Sequence, residues 1–378
     1  MSRRRLRARP GQEGKKKDPD FTIFLVTLIL LGIGLVMVFS ASYVDAAESR
    51  GDPYFFLRRQ IFWALLGITG MLFFSRFDHR HLKRLSPAMV IISFVLLAAV
   101  YIPGVGIEIH DARRWIGIGS FLTFQPSEFT KLALVIFTAA YLSSKSIRME
   151  NFWSSSFIPL SVAGLSFLFI LWQPDMGTGL IILLGIAMVI FLAGMPFKQI
   201  AALAGLSFPA IIYLVFSASY RLKRLTSFLD PWADPLGDGY HIIQSLYALG
   251  PGGIFGVGLG RSRQKLYYLP EPYNDFIFAI IGEELGFVGA TAVILLFFIL
   301  VWRGMKVALS SPDLFGGLLA AGITFMIGAQ ALINIGVVTG SLPVTGLNLP
   351  LISAGGSSLF FNLCGIGILL NISRYANQ

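Results

Sequence analysis

One cysteine, Cys364, occurs in 378 residues. No disulfide framework can be built from it, so the fold does not depend on an oxidising compartment. Histidine is nearly as scarce, with four in the chain, and no zinc-type ligand spacing or trustworthy Ser-His-Asp order emerges. A Walker loop is also missing. The run Gly256-Val-Gly258-Leu-Gly260 follows no strand pattern and reads as tight turns or close backbone approach. Charge is the last shortage: 13% of residues are Asp, Glu, Lys or Arg, roughly half the ~25% of soluble domains.

Hydrocarbon is what the chain has in excess. Hydrophobic residues make up 55% of it, with a mean hydropathy of +0.72. Ten apolar runs recur, at 21–43, 58–75, 85–102, 126–142, 157–173, 176–194, 198–218, 276–302, 314–336 and 350–372. Each is long enough to cross a ~30 Å hydrocarbon layer as a helix. The predicted fold class is all-α: one polytopic membrane domain over 21–378 with ten transmembrane helices, preceded by a disordered basic tail at 1–20. The first run is too long for the apolar core of a signal peptide, so it reads as a retained helix.

The net charge of +10 invites a nucleic-acid partner, but its distribution excludes one. With the N-terminus in the cytoplasm, ten spans put 18 of the 30 Lys and Arg residues on that side. This obeys the positive-inside rule, and the reverse orientation breaks it. Both termini are therefore predicted to be cytoplasmic.

Two outer segments are longer than a compact bundle needs. The first, 103–125, contains HDARRWIGIGSFLTFQPSE. The second, 219–275 between the seventh and eighth spans, is too rich in aromatics, glycines and charge to be a linker, and long loops of this kind are usually functional. Within it, YHIIQSLYAL sets Ile242, Ile243, Leu246 and Leu249 on one face of a helix. That pattern predicts a short amphipathic helix in the membrane interface. Gln125-Pro126-Ser127-Glu128 and Gln173-Pro174-Asp175 each open an outer-to-inner helix, with proline in the first turn and Ser or Asp available as caps.

Charges inside a membrane are costly and are functional candidates by default. Glu128 and Lys131 stand three apart on the fourth span and share a face. They form either a satisfied intrahelical pair or a buried cation ready for a diphosphate. Glu283 and Glu284, about two turns into the eighth span, read as structural groups bonded to a neighbouring helix or held protonated.

The segment LPEPYNDFIFA (269–279) carries the most information. It puts Asp275 where water meets hydrocarbon, at the level of a lipid-linked substrate's headgroup. Upstream lie Arg221, Lys223, Arg224, Arg261, Arg263 and Lys265, interleaved with Tyr267, Tyr268 and Tyr273. So many cations on the side normally depleted of them fit an anionic substrate such as a lipid diphosphate, because Arg and Lys clamp phosphate oxygens. Plainer readings remain open. The cations could meet lipid headgroups or pair with Asp230, Asp234 and Asp238, and Asn274 or Asp275 could cap the eighth span.

With these residues laid out, the chain resembles the SEDS (shape, elongation, division and sporulation) family. The segments that carry the resemblance are 227–289, RRWIGIG (113–119), QPSEFTKLAL (125–134), QPDMGTG (173–179) and GVVTGSLPVTGLNLPLISAGGSSL (336–359). The DPW (230–232) and RSRQKLYYLPEP (261–272) segments are nearer to the FtsW and SpoVE branches than to RodA. The resemblance implies a ten-helix glycosyltransferase of the bacterial cytoplasmic membrane, active face outward and placed at the septum, which polymerises lipid II into peptidoglycan. It also implies that Asp275 falls on the family's essential aspartate and Glu128 and Lys131 on its functional pair. Arg114 and Trp115 match an RW motif, and Asp175 of QPDMGTG joins the substrate-binding group.

The implied partners are lipid II and the nascent glycan lipid, a class B penicillin-binding protein as transpeptidase, and other division or sporulation membrane proteins. A divalent cation, Mg2+ or Mn2+, is compatible with the family, although the sequence holds no dedicated metal cage and no organic cofactor motif. Two departures bear on fine positioning: Asn274 stands where Thr commonly precedes the aspartate, and Ala354 where an aromatic often precedes the GGSS turn.

A diphosphate leaving group is already a weak base and needs charge stabilisation more than a proton. One base and a cationic pocket therefore suffice, without the paired carboxylates of a glycoside hydrolase. The expected chemistry has Asp275 accepting the proton of a sugar 4-hydroxyl, the anomeric centre inverting, and Lys131, Arg221, Arg224, Arg261 or Lys265 holding the diphosphate. A lipid II flippase or transporter and a non-catalytic scaffold are the rival readings. A transporter would line a midplane cavity with its key groups, whereas these cluster at one face.

Overall fold

The computed structural model describes residues 17–109, 112–118, 122–144, 147 and 149–376. Each of the ten apolar runs coincides with a helix. These are α1 (Phe21–Arg50), α2 (Phe55–Arg76), α3 (Arg80–Ala99), α4 (Pro126–Leu142), α6 (Phe157–Trp172), α7 (Met176–Leu192), α8 (Phe197–Phe216), α11 (Ile277–Ser310), α12 (Leu314–Val338) and α13 (Gly356–Ser373). A short α5 (Phe152–Ser155) leads into α6, and α9 (Ser219–Leu229) and α10 (Tyr240–Gly252) occupy the second long segment. Six of the helices, α1, α3, α8, α11, α12 and α13, are long and apolar enough to cross a membrane by length and composition; α6 and α7 are shorter apolar helices.

The all-α reading needs one correction. The first long outer segment folds into an antiparallel sheet of β1 (Gly106–Ile109), β2 (Ala112–Ile118) and β3 (Leu122–Phe124). Ile107 pairs with Trp115 and Ile116 with Phe124, with an irregularity at Ile107/Glu108. β-branched and aromatic residues in a short run without helical period favour a pleated ribbon, and that signal lay in GIEI and RRWIGI.

The first and last described residues lie at one end of the bundle. Asp20 caps α1 by accepting from Ile23 N, and its carboxylate takes Arg303 Nε at 3.0 Å and Nη2 at 2.6 Å. Lys17 N donates to Arg374 O at 3.0 Å. Residues 17–20 thus belong to the fold, and the rest of the expected disordered tail, 1–16, lies outside the described residues. At 30 residues, α1 spans about 45 Å, so its last turns reach the opposite end.

The centre is built from α4, α12 and α13, whose buried faces are nearly continuous. By contrast, α8 buries no residue against the rest. In a membrane, helices gain little from hydrophobic burial against each other and rely on close packing of small residues. α2 and α13 show this: a Cβ at Gly70 would come within 2.8 Å of Cys364 Sγ, and one at Gly367 within 2.5 Å of Met71 O.

α10 forms where the amphipathic pattern placed it, but its buried residues include Ile242, Ile243, Ser245 and Ala248, while Leu246 is exposed. It packs on α11 and α12, tied by Ser245 Oγ to Val338 O at 2.7 Å. The glycine run after it lies against a break in α11 at Gly286 (φ 66°, ψ −165°). There Val257 N donates to Glu283 O, Gly258 N to Glu284 O and Phe287 N to Gly253 O. A Cβ at Gly256 would stand 2.1 Å from Glu284 O, so the glycines serve close backbone approach.

Gly367→Val should lower the thermal unfolding midpoint, because the clash is with backbone that cannot swing aside. The loss expected is of the overpacking size, about 1–3 kcal/mol, read by thermal-shift measurement of the purified protein in detergent. An unchanged midpoint would contradict the α2–α13 packing.

Candidate active site

At the end of the bundle away from the chain termini lies a cavity of about 810 Å³. Its walls come from the last turns of α1, the first turn of α2, the β2–β3 ribbon, the heads of α4 and α7, α9, and the turns before α11 and α13.

Asp275 lines it, two residues ahead of α11. The capping alternative fails, because Phe276 occupies the N-cap and no side chain caps that helix. The backbone around Asp275 is held on three sides. Asn334 Nδ2 donates to Asp275 O at 2.7 Å, Ser353 Oγ to Asn274 O at 2.7 Å, and Ala354 N to Tyr273 O at 2.9 Å. The carboxylate itself makes no hydrogen bond or ion pair among the described residues. Burial, and then the facing charge of Glu271, push its pKa up to about 6, with Asp175 adding to the rise and Arg114 and Arg224 opposing it. A carboxyl so poised is suited to accepting a proton near neutral pH.

Four arginines line the cavity: Arg50, Arg59, Arg114 and Arg224. The sequence reading reached only the last two. Arg59 sits one residue past the first turn of α2, near the positive end of that helix, where a cation needs a reason. Arg114 Nε donates to Gln173 O at 2.8 Å and its Nη2 to Pro174 O, which ties β2 to the α6–α7 turn. Its guanidinium stands 6.0 Å from the centre of the Trp115 ring, also in the wall. Burial, then neighbouring Arg114, lowers the pKa of Arg224, while Asp275 and Asp175 raise it.

Asp175 faces the cavity, yet its carboxylate is engaged: one oxygen accepts from Thr178 N at 3.1 Å as the α7 cap, the other from Gln125 Nε2 at 3.1 Å. Glu128 and Lys131 are both buried and paired at 2.8 Å. Glu128 reaches the cavity wall, whereas Lys131 is directed to Gln330 Oε1 at 2.8 Å and lines a narrow crevice of about 30 Å³ between α4, α12 and α13. The pair is satisfied, and it touches the cavity through its acid.

Lys131 therefore does not line the large cavity, and neither do three other expected diphosphate ligands. Lys265 is sealed beside the α11 break, with Nζ 2.8 Å from Glu284 Oε1 and 3.2 Å from Ser40 Oγ. Ser262 Oγ and Arg263 N engage Glu283 there, so Glu283 and Glu284 are the structural groups expected. Arg221 is turned onto Leu214 O at 2.7 Å and Tyr220 Oη at 2.9 Å, and Arg261 is exposed on the loop. Sequence proximity to Asp275 misled here, because the loop folds back onto α1 and α11 before it reaches the cavity.

Against this geometry, comparison with known proteins is decisive. Residues 21–378 match the cell cycle protein family of FtsW, RodA and SpoVE. The chain belongs to that family. It is 49% identical to stage V sporulation protein E of Bacillus subtilis (strain 168), over 96% of this chain and 99% of that protein. It is 42% identical to a probable peptidoglycan glycosyltransferase FtsW of Geobacter sp. (strain M18), over 94% and 96% of the two chains. Among solved structures it superposes on a chain of a peptidoglycan synthase complex that coordinates polymerization and crosslinking (TM-score 0.77, 31% identity, 95% of this chain and 99% of that one). It also superposes on Thermus thermophilus RodA (TM-score 0.70, 30% identity, 95% and 98%). The FtsW/SpoVE-like character read from the DPW and RSRQKLYYLPEP segments is thereby upheld.

Lys265→Met and Glu284→Gln should each destabilise this FtsW/RodA/SpoVE protein by about 3–5 kcal/mol, since each strands a buried polar partner. The Lys265→Met/Glu284→Leu double variant should recover part of the loss. Unfolding midpoints of the three variants check this. Full stability of the single variants with loss of substrate affinity alone would return Lys265 to the substrate.

Proposed function

We propose that the protein is a peptidoglycan glycosyltransferase that polymerises lipid II in the bacterial cytoplasmic membrane during division or sporulation. The observation that carries this reading is Asp275: an acid whose carboxylate meets no partner among the described residues, on a held backbone, in a cavity lined by four arginines. The family and the names of its members supply the substrate class.

The cavity lies at the end of the bundle remote from both termini, and the excess of Lys and Arg on the terminal side puts that cavity outward under the positive-inside rule. All ten apolar helices cross the membrane in this reading, and α10 rides at the outer interface. A carboxylate and arginines gathered at one end suit chemistry on a headgroup better than a midplane transport site.

Asp275 accepts the proton of the acceptor's sugar 4-hydroxyl while that oxygen bonds to the donor's anomeric carbon. The carbon–oxygen bond to the diphosphate breaks, and the lipid diphosphate leaves with the electron pair. Attack opposite the leaving group inverts the centre. Arg114 and Arg224 face Asp275 electrostatically and hold the diphosphate as its charge develops, in a wall where low dielectric strengthens each contact. Arg50 and Arg59 extend the positive surface across the cavity. Among the described residues no group of three metal-ligating side chains exists. A Mg2+ or Mn2+ ion would therefore be held chiefly by the substrate's own phosphate oxygens, and would supply charge neutralisation at the leaving group. A class B penicillin-binding protein, as transpeptidase, completes the crosslinked product, and the septum is the site of action.

Purified protein supplied with lipid II and a partner transpeptidase should yield glycan strands on a gel, and Asp275→Ala should yield none. The wild-type rate should fall as pH drops through about 6, because the base is lost on protonation. Polymerisation by Asp275→Ala at the wild-type rate would remove the base assignment, and lipid II movement without any polymer from the wild type would favour the transporter reading.

A further inference from the structure

Two amides on α12, Gln330 and Asn334, stand one helical turn apart on a single face, and both are buried. Asn334 Nδ2 donates to Asp275 O at 2.7 Å and also to Leu347 O at 2.6 Å. Gln330 Nε2 donates to Asn348 O at 2.9 Å, and its Oε1 accepts from Lys131 Nζ at 2.8 Å. Lys131 is in turn paired with Glu128. The two amides therefore grip adjacent carbonyls of one turn, one amide extending to the segment of the free acid and the other to the buried ion pair. Asn334 Oδ1 is buried with no hydrogen-bond partner, so the side chain keeps both donors on main-chain carbonyls and leaves its own acceptor unmet.

We infer that Gln330 and Asn334 form an amide ladder that positions Asp275 against the Glu128–Lys131 pair across the cavity. Asn334 is a positioning residue: it touches no reacting atom and acts by fixing the main chain that carries the carboxylate. The inference rests on Asp275 being the base. The groups facing that carboxylate are Glu271 from its own segment, Arg114 from β2, Asp175 from the head of α7 and Arg224 from α9. A shift of the backbone at 275 alters its distance to all four and admits water to a site whose burial is the main reason for the raised pKa.

The test is steady-state lipid II polymerisation by full-length Asn334→Ala in complex with the transpeptidase, across pH 5 to 8. A small misplacement of a catalytic group costs on the order of 100-fold, so kcat should fall by about that factor with KM within about twofold. The acid limb of the rate profile should move below its wild-type position as Asp275 gains water. Asn371→Ala, a buried amide in the cluster around His79 at the terminal end, should lower stability but leave the limb in place. If Asn334→Ala does not fold, Asn334→Leu preserves the volume and should show the same pattern. A wild-type kcat, or a reduced kcat with an unmoved limb, would overturn the ladder. Asp275→Ala run alongside separates the two ideas: if it stays active, the base assignment fails, and if it is dead while Asn334→Ala is normal, only the ladder fails.

Discussion

The structure turns on a carboxylate whose side chain is left alone while its backbone is held. Three hydrogen bonds fix residues 273–275, and none is made to the Asp275 carboxyl oxygens among the described residues. A carboxylate with two or three donors on it is a weak base. One without donors on its oxygens, and with the negative charges of Glu271 and Asp175 nearby, keeps its affinity for a proton. The rest of the cavity follows from maintaining that condition. Arginines are placed where they oppose the rise without bonding to the acid, and Glu271 and Asp175 add negative charge around it.

That condition has to be met in a membrane, where every stranded polar group is expensive. The chain meets it by converging on the segment 345–358. Gln60 from α2 reaches Ser353 O, the backbone N of Gln125 ahead of α4 reaches Ser357 Oγ, and Gln330 and Asn334 from α12 reach Asn348 O and Leu347 O. Three parts of the bundle thus agree on the position of one turn, and Asp275 leans on it: a Cβ added at Gly346 would meet Asp275 Oδ2 at 3.5 Å. The break in α11 at Gly286 belongs to the same economy. It lets the glycine-rich loop dock its amides on the carbonyls of Glu283 and Glu284, and Lys265 neutralises Glu284 in the gap.

Much of this was legible beforehand. Each apolar run fell on a helix, although α1 and α11 run on several residues past the predicted ends and α13 starts six residues later, because an apolar count marks the hydrocarbon-like stretch and not the polar turns that extend it. Asp275, Glu128, Asp175, Arg114, Trp115 and Arg224, drawn from separate segments, all line the one cavity. The misses have physical causes. The sheet at 106–124 was hidden by treating a short β-branched run as a loop. Lys265, Arg221 and Arg261 were grouped with Asp275 by closeness in sequence, whereas a loop that doubles back buries one, turns the second onto its own helix and exposes the third. Arg50 and Arg59 come from helices more than two hundred residues upstream, and periodicity carries no information about which distant helix ends meet. The bonds of Gln330 and Asn334 were equally beyond reach, although polar residues four apart in an apolar span were a usable sign.

The most direct measurement is an infrared titration of the wild-type protein minus Asp275→Asn, following the carboxyl stretch of that one side chain. The account predicts a protonated carboxyl band that grows as pH falls through about 6. Titration near 4, as for an ordinary solvated aspartate, or a carboxylate that stays ionised throughout, would contradict it.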